Sequence, residues 1–368
     1  METDDKYKIT QLDEYLRQGE PEEQERSRLW QTAIGLQQVD HLPTSDYLLE
    51  TAKRHIEGEI TIDEANKLID SYYESRDKRS EVEHQTEEGD KVSGRIHALL
   101  AEKTFNFNLA QYLNIHHRLF DGIYKHAGKI RDYNITKREW VLKGETVFYS
   151  GYDMIRPSIE HDLQQEREFD YSGINADEAI RHLCRFCADL WQIHAFGEGN
   201  TRTTAVFMIK YLQRLGFNVT NDMFANHSWF FRNALVRANY DNLQKGITQT
   251  TLFLERFFRN MLLGEKHSLR NREMHIDWEM VKSQETETQS AEIAPAVFQK
   301  CKNCTLEEAA LIAVVRQSPK ATQKEIAGII GKSERTVKTI TVKLQERGIL
   351  MREGGKRNGS WSINESLL

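Results

Sequence analysis

The sequence predicts a mainly α-helical protein with a small β-hairpin in its middle and a helix-turn-helix with a hairpin wing at its end. Apolar residues recur at three- and four-residue steps through most of the chain, the spacing of helices that face a core. Strand-type residues flank a glycine turn at two places, 140–149 and 350–363. We therefore expect a helical bundle that carries two short hairpins.

The chain has 368 residues and a formal net charge of −6, with a mean hydropathy of −0.65. This length allows two or three domains, and the net charge argues against a general polyanion binder. No apolar run reaches the roughly 18 residues of a membrane span. The N-terminus lacks the basic and apolar regions of a signal peptide. We therefore expect a cytoplasmic protein with no membrane partner.

Residues 1–92 are expected to form a polar, acid-rich N-terminal helical region. Apolar positions after Asp46 predict a short amphipathic helix over about 46–58, and Gly58 suits its C-terminal cap. Thr61 followed by Glu64 is a capping-box pattern, which predicts the start of a second helix. Only short apolar runs precede these helices, so no helix is assigned there.

The central domain, 93–265, is organised around the run from Ile193 to Thr204. Apolar residues at helical spacing lead up to His194, which therefore falls at a helix C-terminus beside the core. The same spacing resumes after the run. Between the two helices, Gly197-Glu198-Gly199-Asn200 forms a short loop that leads into the second helix.

The residue types in this run fit the chemistry of phosphate transfer. A glycine loop that opens a helix directs free backbone N–H groups and the positive end of the helix dipole at one spot, which suits a phosphate. Arg202 adds a fork of donors for phosphate oxygens, and Glu198 supplies a carboxylate for Mg²⁺. His194, which titrates near neutrality, suits a general base. A core histidine before an ordinary helix N-terminus is the structural alternative, and the acid, glycines and arginine in register argue against it.

The run resembles the signature loop of Fic-domain proteins, H-P-F-x-(D/E)-G-N-G-R-x-x-R. The matching residues are His194, Phe196, Glu198, Gly199, Asn200 and Arg202. The resemblance implies a Fic-type helical bundle that uses ATP and Mg²⁺ to transfer AMP to a Ser, Thr or Tyr hydroxyl of a target protein. Ala195, Thr201 and Ala205 depart from the pattern, the last two at positions that shape the anion pocket and hold the outer phosphates. Related Doc toxins also lack that Gly and Arg and phosphorylate with the nucleotide reversed, so a Doc-like phosphotransferase or a transferase for another NTP remains open.

The resemblance also implies roles for individual residues. His194 would be the catalytic base, Glu198 would hold the metal, and the nucleotide would be bound by Gly199, Asn200, Thr201, Arg202, Thr203 and Asn239. Ile56-Glu57-Gly58 resembles the family's inhibitory motif, which makes Glu57 a candidate inhibitor. Lys53 stands at that motif's Ser/Thr position, and Ala205 replaces the arginine with which the glutamate pairs.

The hairpin predicted at 140–149 resembles the family's flap. There an edge strand binds the target peptide as an added strand, a known recognition mode. The residues that this comparison implies for target docking are Trp140, Val141, Leu142, Thr146 and Val147. A hairpin with no role in docking is the structural alternative.

Residues 266–304 are polar and are predicted to form a linker, and 305–368 form a C-terminal domain. Two helices, a turn at Gly331 and a basic third helix predict a helix-turn-helix, followed by a glycine-rich basic wing. Eleven Lys and Arg against four Glu lie between Arg316 and Arg357, which suits DNA phosphates. The domain resembles the winged helices of bacterial regulators, a fold that also serves for protein docking. The expected DNA contacts are Arg335, Lys338, Lys343, Lys356 and Arg357.

The sequence thus predicts a bacterial protein adenylyltransferase that uses ATP and Mg²⁺, is inhibited through Glu57 and acts on a hydroxyl-bearing protein. A DNA-binding transcriptional regulator that senses a nucleotide is the alternative outside enzymes. The target, the DNA site and the oligomeric state stay open, and a homodimer is one of the assemblies considered.

Overall fold

The computed structural model describes residues 8–75, 81–217, 219, 222–278, 304–354 and 359–367, and it confirms the mainly helical class. Two strands, β1 (Leu350–Glu353) and β2 (Ser360–Ile363), pair antiparallel. No helix in the described ranges is long and apolar enough to cross a membrane. The α-helices are α1 Asp13–Gln18, α2 Pro21–Gly35, α3 Asp46–Ile56, α4 Ile62–Glu74, α5 Glu81–Ala101, α6 Leu109–Phe120, α7 Ile155–Glu168, α8 Ala176–Ile193, α9 Asn200–Arg214, α10 Asp222–Ala238, α11 Leu252–Leu263, α12 Leu306–Gln317, α13 Gln323–Ile330 and α14 Glu334–Glu346.

The two helices that flank the glycine loop, α8 and α9, are buried along most of their length. Every α9 residue from Asn200 to Leu212 is buried, as is the α8 face that carries Leu183, Cys187 and Trp191. One apolar cluster joins both helices to α2, α5, α6, α10, α11 and the C-terminal helices. The loop is therefore held at each end by an element that is fixed in the core.

The N-terminal part contains a helix, α2, that the sequence analysis did not assign. Pro21 occupies its first position, and the Glu23 carboxylate accepts from the Glu20 N–H at 2.8 Å. A glutamate at the cap is a weaker start signal than Ser, Thr, Asp or Asn. Leu29 of α2 joins the main core, whereas Trp30 joins a second apolar cluster with α3 and α4. This helix therefore fastens the N-terminal region to the central one.

The two N-terminal helices that the sequence predicts are present as α3 and α4. Ser45 caps α3 by accepting from the Leu48 N–H at 3.0 Å. Thr61 and Glu64 form the predicted capping box of α4. The boundary expected at 92/93 falls inside α5, which is one continuous helix. The N-terminal and central regions therefore share a helix where a domain boundary was expected.

The prediction of a β-hairpin at 140–149 is wrong. Trp140–Leu142 form a 3₁₀ turn, and Lys143 follows in the left-handed region with φ of 55°. Val141 and Leu142 are both fully buried, because this tight turn directs two consecutive apolar side chains into the core. The Val141 carbonyl already accepts from the Ile276 N–H at 2.9 Å, so this one group is not free to pair with a target peptide.

Two other flap residues expected at a docking edge have internal roles. Val147 is buried. The Thr146 hydroxyl accepts from the Lys137 N–H at 3.3 Å and donates to the Val147 carbonyl at 3.0 Å. Trp140 alone of the five predicted docking residues is about half exposed.

The C-terminal part has the predicted order of three helices and a hairpin. Gly331 ends α13 with φ of 68°, and a Cβ there would lie 2.4 Å from the carbonyl oxygen of Gly216. The turn between α13 and α14 therefore packs against the far end of α9, the helix that begins at the glycine loop. Arg335, Lys338 and Lys343 are exposed on α14, whereas Lys356, Arg357 and the linker piece 283–290 lie outside the described residues.

Candidate active site

His194 ends α8 in a left-handed conformation, with φ of 51° and ψ of 59°. This conformation is uncommon for a residue with a Cβ, and neighbouring groups hold it in place. The His194 N–H donates to the Trp191 carbonyl at 3.1 Å. Arg131 donates from Nε to the His194 carbonyl at 2.7 Å, and from its backbone N–H to the Ala195 carbonyl at 2.9 Å. The imidazole is thereby aimed by contacts that the motif itself does not contain.

The His194 ring lies in an aromatic pocket. Its centroid is 4.1 Å from that of Tyr149 and 5.3 Å from that of Trp191. Burial lowers the pKa of the imidazole well below its usual range, the Lys137 ammonium lowers it further, and the Trp191 carbonyl opposes this shift. The ring is therefore neutral at neutral pH, which is the state that can accept a proton.

Asn200 closes the glycine loop. Its Oδ1 accepts from the Phe196 N–H at 2.9 Å, and its Nδ2 donates to the Phe196 carbonyl at 2.7 Å. Both ends of the side-chain amide are thus used within the loop, so this side chain shapes the loop. Position 199 requires glycine, because its φ is 74° and a Cβ would lie 2.4 Å from the Phe120 ring.

His116 supports the glycine loop through a hydrogen bond and a ring contact. The Gly128 N–H donates to its Nδ1 at 2.8 Å, so Nε2 carries the proton and donates to the Glu198 carbonyl at 3.0 Å. The ring also stacks on Phe196 with centroids 3.7 Å apart. Burial lowers the pKa of His116 to about 3, so it keeps this neutral tautomer. No local sequence pattern identifies His116 as a site residue, because its partners lie 12 and 82 positions away in the chain.

The Arg202 guanidinium is already paired within the chain. Its side chain is 1% exposed, and its guanidinium forms ion pairs with Asp40 at 2.9 Å and Glu88 at 2.6 Å. It also donates to the Gln37 Oε1 at 3.1 Å and lies 4.8 Å over the Phe120 ring. The predicted phosphate ligand is therefore occupied by groups from the 3₁₀ turn Leu36–Asp40 and from α5.

The two departures from the signature loop have structural counterparts. The Thr201 hydroxyl accepts from the Trp191 indole N–H at 3.0 Å, a contact that a glycine would lack. Ala205 is fully buried and adds no charge to the site. The Thr203 hydroxyl donates to the Gly199 carbonyl at 2.9 Å, so it stabilises the first turn of α9.

Glu198 is the exposed acid of the loop. Its side chain is 57% exposed, and Oε2 lies 2.6 Å from the Lys137 Nζ. No group of three or more His, Cys, Asp or Glu residues suited to a metal occurs in the part of the chain that the structure describes. A single carboxylate still fits Mg²⁺, because this ion commonly takes one or two carboxylates and completes its shell with water and phosphate oxygens.

A cavity of about 460 Å³ opens beside Glu198 and Arg202. The Trp229 ring in its wall lies 4.2 Å from His41 and 6.4 Å from Trp140, measured between ring centroids. The flat aromatic faces suit a planar base and the guanidinium groups suit phosphate. The lining residues include Asp40, His41, Glu88, Tyr124, Arg138, Trp140, Glu198, Arg202, Trp229 and Arg232.

Of the residues predicted for catalysis, metal and nucleotide binding, Glu198 and Arg202 line this cavity. The others are not among its lining residues: His194, Gly199, Asn200, Thr201, Thr203, Asn239 and the candidate inhibitor Glu57. Asn239 donates from Nδ2 to the carbonyls of Ala188 at 2.9 Å and Leu235 at 3.0 Å, so its amide joins α8 to α10. Glu57 is exposed at the end of α3 and accepts a hydrogen bond from the Tyr15 hydroxyl. The carboxylates that reach Arg202 are thus Asp40 and Glu88, which the sequence analysis did not select.

Comparison with known proteins places a Fic/DOC domain at residues 106–212, which contains His194, the glycine loop and most of α9. A region of 116 residues is 28% identical to the protein adenylyltransferase VbhT of Bartonella schoenbuchensis, and it covers 32% of this chain. The match spans about a quarter of that relative, 23% of its length.

The contact between Thr201 and Trp191 gives a first prediction. Thr201→Val removes the acceptor but keeps the shape, and leaving the buried indole N–H unpaired should cost about 1–3 kcal/mol of unfolding free energy. Urea unfolding of Thr201→Val, Trp191→Phe and the double variant forms a cycle that isolates the pair. We expect a smaller loss in the double variant than the sum of the single losses. Strict additivity would show that the hydroxyl contributes only packing.

Proposed function

We propose that this chain is a protein adenylyltransferase that moves AMP from ATP to a Ser, Thr or Tyr hydroxyl of a target protein. The observation that carries the proposal is the position of the His194 imidazole, fixed at a helix end directly before a glycine loop that opens α9. The Fic/DOC match covers both groups. The name of the relative supports AMP as the transferred group.

In the proposed reaction, His194 accepts the proton of the target hydroxyl while the hydroxyl oxygen attacks the α-phosphorus of ATP. The new P–O bond joins AMP to the target, the bond from this phosphorus to the bridging oxygen breaks, and pyrophosphate leaves. No side chain caps the start of α9, so its first N–H groups would stabilise charge on the phosphoryl oxygens. Glu198 would hold Mg²⁺, which supplies positive charge to the phosphates when bound.

ATP labelled on the α- or the γ-phosphate tests this reaction. We expect α-label on protein, and His194→Ala should lower the transfer rate roughly 10²–10⁴-fold, because a positioned base contributes that much. His117→Ala, at an exposed histidine of α6, is the matched control and should keep the rate.

Other label patterns would select the alternatives. Label from the γ-phosphate alone would identify a Doc-like phosphotransferase, and label from another NTP alone would change the nucleotide. Full transfer by His194→Ala would contradict the base mechanism. If no nucleotide transfers label, the nucleotide-sensing regulator becomes the better account.

The N-terminal region supports a second part of the proposal, that the chain restrains its own site. Asp40 and Glu88 both hold the Arg202 guanidinium. A phosphate bound at the start of α9 competes with these carboxylates for the same donors. Glu57 remains the alternative inhibitor, with its carboxylate on the Tyr15 hydroxyl. We assign the restraint to Asp40, whose side chain is about one-third exposed and therefore easier to displace than a buried partner.

Asp40→Asn and Glu57→Gln separate the two candidates. Asp40→Asn keeps the side-chain shape and the Glu88 pair, so we expect a folded protein with transfer about 3- to 30-fold faster, equivalent to about 0.7–2 kcal/mol of barrier. Glu57→Gln should stay near the wild-type rate. The reverse ranking would assign inhibition to Glu57, and unchanged rates in both would rule out this restraint. Melting temperatures of both variants check that the comparison is between folded proteins.

A DNA-binding role for the C-terminal part is the second candidate function. The observation that favours it is α14, which exposes Arg335, Lys338 and Lys343 and follows the tight turn at Gly331, as in a winged helix-turn-helix. With labelled duplex DNA, each Lys or Arg replaced by Gln should reduce the slope of log affinity against log salt by about 1. Lys125→Gln, at an exposed lysine of the central region, should not. No binding at low salt would contradict this role.

A further inference from the structure

Two arginines beside the cavity already form ion pairs with carboxylates. Arg202 is buried with Asp40 and Glu88. Arg232 is 15% exposed and pairs at 2.6 Å with Glu139, whose side chain is 1% exposed. Breaking a buried ion pair leaves a charge without its partner, which is unfavourable. These two guanidinium groups are therefore poor sources of positive charge for an incoming phosphate chain while those pairs stand.

Lys137 is in a different situation. Its ammonium is 2.6 Å from Glu198 Oε2, but the side chains are 24% and 57% exposed. A solvent-exposed pair of this kind contributes little to stability, so the ammonium can exchange partners easily. The Lys137 N–H donates to the Thr146 hydroxyl at 3.3 Å. The flexible four-carbon stem of a lysine can move its charge over several ångströms.

The ammonium also lies on the side of the loop where the reaction would occur. It contacts the carboxylate of Glu198. After burial, it has the largest effect in lowering the pKa of His194, ahead of Arg232 and Arg131. The group therefore lies near both the loop and the imidazole. In the proposed function, the phosphate chain of the nucleotide binds at the start of α9, two residues after Glu198 in the chain.

We propose that Lys137 is a phosphate-binding residue whose ammonium pairs with Glu198 before a nucleotide binds and then moves to the outer phosphates of a nucleoside di- or triphosphate. The inference rests on the nucleotide-binding part of the proposed function. A compact ammonium with three donors suits phosphate oxygens as a point charge. Its departure frees the Glu198 carboxylate for a divalent cation. Polyphosphate binding and metal binding at this site therefore support each other.

Calorimetric binding of ATP and of adenosine to the full chain, in EDTA and then in Mg²⁺, tests the proposal without requiring catalysis. Lys137→Gln should weaken ATP binding in EDTA about 10- to 100-fold, since it removes a charge-assisted contact. Adenosine binding should stay unchanged, and Lys137→Arg should recover most of the ATP affinity. Lys143→Gln is the matched control, because Lys143 is an exposed lysine of the same segment that pairs with Asp277.

A second comparison separates phosphate contact from shielding of Glu198. If Lys137 only neutralises the glutamate, Lys137→Gln has no effect on ATP binding in a Glu198→Gln background. A persistent loss in that background supports direct contact. Unchanged ATP affinity in Lys137→Gln, or a loss confined to the chain with Glu198, overturns the proposal.

The same measurements keep this inference separate from the proposed function. Tight ATP binding that depends on Lys137, without transfer of α-label, would leave the phosphate contact standing and remove the adenylyltransferase. If α-label is transferred but the ATP affinity is the same with and without the Lys137 ammonium, the adenylyltransferase proposal stands and the phosphate contact of Lys137 is removed. A change in the Mg²⁺ concentration needed for half-maximal ATP binding in Lys137→Gln would support the predicted link between the two ligands, and an unchanged requirement would overturn that link.

Discussion

The buried charge of Arg202 is the constraint on which the rest of the site depends. A guanidinium that is 1% exposed needs partners of opposite charge, and Asp40 and Glu88 raise its pKa above the usual range against the effect of burial. These partners come from the N-terminal 3₁₀ turn and from α5. The first turn of α9 is therefore completed by chain segments more than 100 residues away. The N-terminal region therefore supplies groups that complete the site.

The loop is shaped mainly by groups that would not touch a nucleotide. Asn200 joins the two ends of the loop, His116 holds the Glu198 carbonyl, and Arg131 holds the carbonyl of His194. Each contact satisfies a backbone group that would otherwise be buried without a partner. Rigid support of this kind fixes the direction of the imidazole and of the helix N–H groups before any ligand arrives. Preorganised groups need little rearrangement during a reaction, which is how such sites lower barriers.

Charge is distributed unevenly around the cavity. Arg202 and Arg232 are engaged in largely buried ion pairs, whereas Lys137 and Glu198 form an exposed pair that can rearrange. The C-terminal part contacts the same helix, because the turn at Gly331 packs on the end of α9. The proposed nucleotide site lies at one end of α9, and the turn that precedes the basic helix α14 packs against the other end. Binding at either end can influence the other only through differential contacts in two conformations of that helix.

The sequence by itself determined the elements whose signals are local. The helical periodicity on both sides of His194, the capping box of Thr61 and the order of the C-terminal helices all depend on residues within one or two turns of each other. Tertiary structure decided the rest. It replaced the predicted hairpin by a buried 3₁₀ turn, because Val141 and Leu142 pack into a core formed by distant helices. It also brought Asp40 and Glu88 to Arg202, and Lys137 to Glu198, since attraction between charges depends on their separation in space and no spacing along the chain encodes it.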